Sequence, residues 1–190
     1  MTTHSMSPDI LARRARRALS PAPLPVEDLR LVVEAATLAP SCFNNQPWRI
    51  IVVTGEKLEE VKRALSRGNA WAQRAPAIVV LVARRHDDCQ LSDGRDYFLF
   101  DTGLAAENLM LQATRMGLVA HPIAGFKPDV VRASLAVPAE YVVIALIIMG
   151  RPDDDSVPGE AQREHEDAPR QRRPLDDVVG WNRFVAPAGE

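Results

Sequence analysis

Ala39-Pro40-Ser41-Cys42-Phe43-Asn44-Asn45-Gln46-Pro47-Trp48-Arg49 joins a helical pattern to an apolar strand. Two prolines and a run of Ser, Asn and Gln side chains that hydrogen-bond their own backbone read as a capped turn. Upstream, Val26, Leu29, Val32, Val33 and Ala36 recur at helical spacing, with Glu27 and Asp28 where the helix dipole favours acids, so a helix ends before Pro40. Downstream, residues 49–54 are β-branched and closed by Gly55, which predicts a buried strand. A helix over 57–67 follows, with Leu58, Val61 and Leu65 turned inward.

Further out, Ser7-Pro8-Asp9 predicts a short helix running into 13–17 and ending at the proline-rich 20–25. Residues 77–83 form a second strand, and polar 84–94 a loop. Residues 96–116 contain no proline and are apolar on nearly every face, with Phe98, Leu99, Phe100, Leu104, Leu109, Met110 and Leu111. Such a helix sits at the centre of the fold or in a subunit interface, and Gly103, Ala105 and Ala106 would let a second backbone approach closely. A short strand at 118–123, a short helix at 128–135 and a central strand at 141–149 complete an α+β fold, a mainly antiparallel sheet flanked by helices. We divide the chain into one domain, residues 1–152, and an extension of it, residues 153–190. Residues 153–173 carry almost no apolar side chain, yet they deliver Pro174-Leu175, Val178-Val179, Trp181 and Phe184. A polar arm with an apolar tip needs something to dock on.

With 190 residues, 46% hydrophobic and 25% charged, the chain suits one globular domain or a tightly integrated subunit of a dimer. Lys plus Arg total 23 against 25 acids, so no global basic field recruits nucleic acid or an acidic membrane. The longest apolar run, 141–149, is nine residues where a membrane span needs about twenty. No signal peptide opens the chain, and a cytoplasmic protein is expected. Cys42 and Cys89 can make at most one disulfide and match no zinc spacing, and reduced thiols are expected. His4, His86, His121 and His165 are scattered away from acidic or cysteine partners at ligand spacing, so no metal site is expected. Dinucleotide, P-loop, zincin and serine-hydrolase motifs are all missing. Two arginine clusters stand out, Arg13-Arg14-Ala15-Arg16-Arg17 and Arg170-Gln171-Arg172-Arg173. Guanidinium forks hold phosphate bidentately.

The Ala-Pro-Ser-x-x-Asn-x-Gln-Pro-Trp pattern at 39–48 resembles the signature of the FMN-dependent nitroreductase family. The likeness extends along the chain. Residues 13–17 resemble the family's N-terminal basic element and 101–117 its long central helix. Pro122-Ile123-Ala124-Gly125-Phe126 resembles its Pro-Ile-x-Gly-Phe turn, and Arg170 to Leu175 its closing basic-x-Arg-x-Pro-Leu element. The resemblance implies an interlocked homodimer with two FMN molecules in the interface and the C-terminal arm exchanged onto the partner. It also implies an NAD(P)H oxidoreductase that reduces nitroaromatics, quinones or related small electron-poor molecules by ping-pong hydride transfer. An FMN-binding protein with little turnover, and a specialised flavin dehydrogenase or oxidase, are the alternatives it leaves open.

Carried over by position, Arg13, Arg14, Ala15 and Arg17 would meet the flavin's phosphate, ribityl chain and pyrimidine edge, with Arg14 or Arg17 the cation near N1. Arg170 and Arg172 would complete the phosphate clamp, and Asn69 would bond the pyrimidine edge. Pro40, Ser41, Cys42 and Asn44 would come from the other subunit. Pro122, Ile123, Ala124 and Gly125 would lie along the ring with a backbone N–H near N5; no side chain is assigned as catalytic, the flavin doing the chemistry. Ala15 stands where many members carry Ser, and Ala124 where well-known bacterial enzymes carry Glu. The stretch 84–96 is shorter than the lid of larger members, leaving Phe43, Trp71, Tyr97 and Phe126 as expected aromatic walls of the substrate pocket.

Overall fold

A computed structural model of the chain describes residues 4–153, 166 and 168–187. Most of the expected polar arm, with His165, lies outside the described residues. Strands β1 (Trp48–Val53), β2 (Ala77–Ala83), β3 (Val119–Ile123) and β4 (Val142–Gly150) form one sheet in the order β1-β2-β4-β3. Every neighbouring pair is antiparallel. The two continuous apolar runs occupy the two central positions, where both faces of a strand are covered.

Successive side chains on a strand point to opposite faces, and this sorts the core into two layers. Ile78, Val80, Val82, Leu146 and Ile148 pack with Leu58 and Val61 of α3 (Gly55–Lys62) and Val131 of α5 (Pro128–Leu135). Ala77, Val79, Leu81, Ile147 and Met149 meet Leu29 and Val32 of α2 (Val26–Thr37) and Leu109 and Ala113 of α4 (Phe98–Arg115) on the other face. The α+β layering matches the sequence expectation.

Two helices stop earlier than their sequence suggests, each for a tertiary reason. Helix α1 is only Pro8–Ala12 and does not run into 13–17. Its end carbonyls are captured: the Arg170 guanidinium donates to the carbonyls of Ile10 (3.1 Å), Leu11 (3.0 Å) and Arg13. Beyond it the chain is drawn out along the end of β4, where Leu19 bridges Pro152, the Ser20 N–H donates to Arg151 O and Asp153 N–H to Ala18 O. Ser7 occupies the N-cap position of α1 but its hydroxyl makes no capping bond. Helix α3 ends at Lys62 rather than 67, because residues 64–66 pair instead with the segment after β3: Lys127 N–H donates to Ala64 O and Ser66 N–H to Gly125 O, around a Leu65–Phe126 bridge.

Helix α4 buries Phe98, Ala105, Leu109, Met110 and Ala113, while Leu99 and Phe100 are exposed and the space above Gly103 is open. Strand β1 is an open sheet edge. Beside it runs a groove of about 830 Å³ whose floor includes Pro23, Leu24, Leu29, Val52 and Leu58.

Candidate functional site

Arg13, Arg14, Ala15, Arg17, Arg170 and Arg172 line one concavity of about 280 Å³, although the two clusters are more than 150 residues apart. A single buried carboxylate from the C-terminal segment shapes it. Glu166 accepts from the backbone N–H groups of Arg17 and of Ala18 (3.2 Å) and from Arg16 Nε (3.3 Å), which fixes the curve of 16–18. The arginines then divide into two kinds. Arg170 spends its donors on the α1 carbonyls, Arg14 donates to Ala168 O, and Arg172 Nη1 to Gln171 O at 2.7 Å. The guanidinium groups of Arg13 and Arg17 have no partner among the described residues. Glu166 went unrecognised in the sequence because it is one acid in a charged stretch whose partner is 150 residues away.

The turn after β3 is held by Asn69 and Ser66. Asn69 Nδ2 donates to Gly125 O at 2.9 Å and Ser66 N–H to the same oxygen at 3.0 Å. A Cβ on residue 125 would fall 2.6 Å from Asn69 Nδ2 and 2.7 Å from Ser66 Oγ, so only glycine admits this approach. Asn69 Oδ1 is left as an acceptor, and the Ala124 and Gly125 N–H groups find no acceptor among the described residues.

His121 on β3 ties this turn to the arginines: its Nδ1 lies 2.9 Å from Arg16 O, which requires a proton on Nδ1. Its ring stacks on Trp71 with centroids 4.6 Å apart. Trp71 is therefore core, 3% exposed in the 67–74 turn under the sheet, and not a wall of an open pocket as expected. Burial pushes the His121 imidazole below its ordinary range; Arg17 and Arg13 push the same way, while Arg16 O and Glu166 oppose it. The folded protein thus refuses a proton that the unfolded chain accepts below about pH 6.5. Stability should fall as the pH drops from about 6.5 toward the depressed native value. His121→Gln should flatten that loss, read as the change in urea midpoint between pH 7 and pH 5; an equal loss in both proteins would remove His121 as its source.

The 39–49 loop lies apart from the arginine cavity, and its described contacts run to α4 and the segment after β2. Pro47 and Trp48 are buried; Ser41 Oγ accepts from Gln46 N–H at 3.0 Å. Phe43, Asn44 and Gln46 all have positive φ, a costly conformation for side chains with a Cβ. Phe43 is thrown outward, 90% exposed, while Tyr97 makes an edge contact with Phe100 and Phe126 leans half-buried on the core. Pro40 and Asn44 are exposed, as are Pro122 and Ala124. Contrary to the expectation of reduced thiols, Cys42 and Cys89 are joined in a disulfide that closes a 47-residue separation with Cα atoms 6.2 Å apart. Spacing along the chain carries no information about that contact, which the packing of the loop on residues 85–89 creates.

Guanidinium charge with no described partner, near a glycine turn whose N–H groups find no described acceptor, fits the phosphate and ring of a phosphorylated flavin in donor type. The class these features define is an α+β protein with an arginine-lined cavity formed by its N-terminal and C-terminal segments. The Nitroreductase family pattern matches residues 10–70 and 57–151. A protein named NADH dehydrogenase from Thermus thermophilus is 30% identical over 207 residues, covering 90% of this chain and 93% of its own. A crystal structure described as an oxidoreductase containing FMN superposes with a TM-score of 0.86 at 30% identity, covering 97% of this chain and 96% of that one. A nitroreductase family protein from Clostridium difficile shares the fold at a TM-score of 0.76 and 24% identity, over 93% and 97% of the two chains. The chain belongs to the nitroreductase family.

Proposed function

We propose that this chain is an FMN-dependent NAD(P)H oxidoreductase that reduces nitroaromatics, quinones or related electron-poor small molecules by a ping-pong mechanism, working as a homodimer in the cytoplasm. The observation that carries the reading is the arginine cavity, in which Arg13 and Arg17 hold charge that no described residue neutralises. The FMN found in one relative's structure extends it to the flavin. Bound FMN supplies a two-electron carrier that accepts hydride from the nicotinamide and passes it to the second substrate.

The protein's own groups bind and orient. Arg13, Arg17 and Arg172 hold the phosphate, Arg14 and Ala15 line its approach, and Arg170 keeps the cavity open by fixing the end of α1. Asn69 Oδ1 accepts from the pyrimidine edge. Ile123, Ala124 and Gly125 offer a fixed backbone donor at the ring, which sets distance without a titrating side chain. Pro40, Ser41, Cys42 and Asn44 serve the partner's cofactor, a reading supported by the separation of their loop from the arginine cavity within one chain. Phe43, Tyr97 and Phe126 form aromatic walls for the acceptor.

A dimer also accounts for apolar surface left in water. Leu99 and Phe100 on α4 would meet their counterparts, with Gly103 allowing close approach. The arm bearing Leu175, Val178, Trp181 and Phe184 would lie in the partner's groove beside β1.

Initial rates of NADPH oxidation measured at several fixed quinone concentrations test the mechanism. Parallel double-reciprocal lines are expected, since one substrate must leave before the next enters. Intersecting lines would show both substrates bound together and overturn the ping-pong assignment.

A further inference from the structure

The Cys42–Cys89 disulfide has unusual company. Asp88 is 7% exposed; its Oδ1 accepts from Cys89 N–H at 2.8 Å and from Asn45 Nδ2 at 3.2 Å, while its Oδ2 is buried with no partner. Asp101 projects from α4, also buried, and accepts from Cys42 N–H at 2.6 Å. A carboxylate oxygen of Asp88 and both sulfurs lie within 4.8 Å of one another. Asn45 Nδ2 also reaches Cys89 Sγ at 3.5 Å.

Two buried carboxylates side by side do not both ionise readily. Loss of water raises the Asp101 carboxyl above the ordinary carboxylate range; the Cys42 N–H bond opposes this, and Asp88 adds to it through charge and a shared hydrogen bond. A buried carboxyl group whose proton is held more tightly than usual thus lies next to a sulfur–sulfur bond. Disulfides in reducing compartments are chiefly catalytic or redox-sensing ones, and the cytoplasmic reading above places this bond in such a compartment.

We propose that Cys42–Cys89 is a redox-active couple, reduced by dithiols in the native protein, with Asp101 and Asp88 as its proton store. A thiolate of the incoming dithiol attacks Cys42 Sγ and forms a mixed disulfide. The Cys42–Cys89 bond breaks with its electron pair passing to Cys89 Sγ, where the Asn45 amide stabilises the negative charge and the acid pair delivers a proton. The second thiolate of the dithiol attacks its own sulfur in the mixed disulfide and releases the Cys42 thiolate, which is protonated from water. The dithiol is oxidised by two electrons and the protein gains two thiols. Reduction unties the 39–49 loop, already held at three positive φ values, from the segment after β2.

Native protein is exposed to dithiothreitol, quenched with iodoacetamide at intervals and weighed by mass spectrometry. Two alkylations are expected without denaturant, reversed by oxidised dithiothreitol. Asp101→Asn, which keeps the acceptor for Cys42 N–H, should slow reduction at least tenfold at equal dithiothreitol thiolate concentration. In the wild type that thiolate-normalised rate should rise as the pH falls, a trend the variant lacks. Should the variant fail to fold, the wild-type pH trend decides alone. Reduction only in denaturant, alkylation before any reductant is added, or a rate insensitive to Asp101 and to pH would each overturn the proposal.

Discussion

Replacing Arg13 and Arg172 together by Ala should weaken FMN binding by about two to four orders of magnitude while leaving the fold in place. Each charge-assisted bond to phosphate contributes about 1.5–3 kcal/mol, and two of them about 3–6 kcal/mol; at about 1.4 kcal/mol per tenfold, that is the stated range. These two arginines are chosen because neither holds the chain together. The Arg13 guanidinium has no partner among the described residues, and there Arg172 donates only to the neighbouring Gln171 carbonyl. Arg170→Ala should behave differently, releasing the carbonyls of Ile10, Leu11 and Arg13 and loosening α1 along with the site. Fluorescence titration of FMN reads the affinity and circular dichroism reads the fold. Unchanged affinity in the double variant would move the phosphate elsewhere.

Trp181→Ser with Phe184→Ser should raise the dimer dissociation constant by a comparable factor. Both side chains stand in water in the single chain, Trp181 78% and Phe184 86% exposed. Burying an aromatic of this size contributes about 1.5–3 kcal/mol, so losing two costs about 3–6 kcal/mol of association. Light scattering at low micromolar concentration should then report the monomer mass. A dimer mass retained there would leave the arm outside the interface. The outer edge of β1 finds no strand among the described residues, and an unpaired sheet edge beside an apolar groove is a liability unless something covers it.

Local pattern was enough for the layers of the fold. The β-branched runs of β2 and β4 and the apolar stripe of α2 announce buried strands and a packed helix, because period and composition follow directly from which face meets the core. What escaped was set at a distance. Helix α1 ends where Arg170 takes its carbonyls, α3 ends where 64–66 find the turn after β3, and Cys42 meets Cys89 because the loop packs on residues 85–89. Trp71 looked like a pocket aromatic beside a loop, yet the 67–74 turn carries it beneath the sheet onto His121. The candidate site was legible as two arginine clusters and a glycine turn through their resemblance to a family. Glu166, which bends the first cluster into shape, carries no signal a single sequence could show.

The visible absorption spectrum of the protein, incubated with FMN, desalted, and then given NADPH and NADH in turn without oxygen, tests the central claim most directly. Retained flavin that bleaches promptly with at least one nicotinamide is the predicted result. Protein that emerges colourless from desalting, or holds flavin that neither nucleotide reduces, would contradict it.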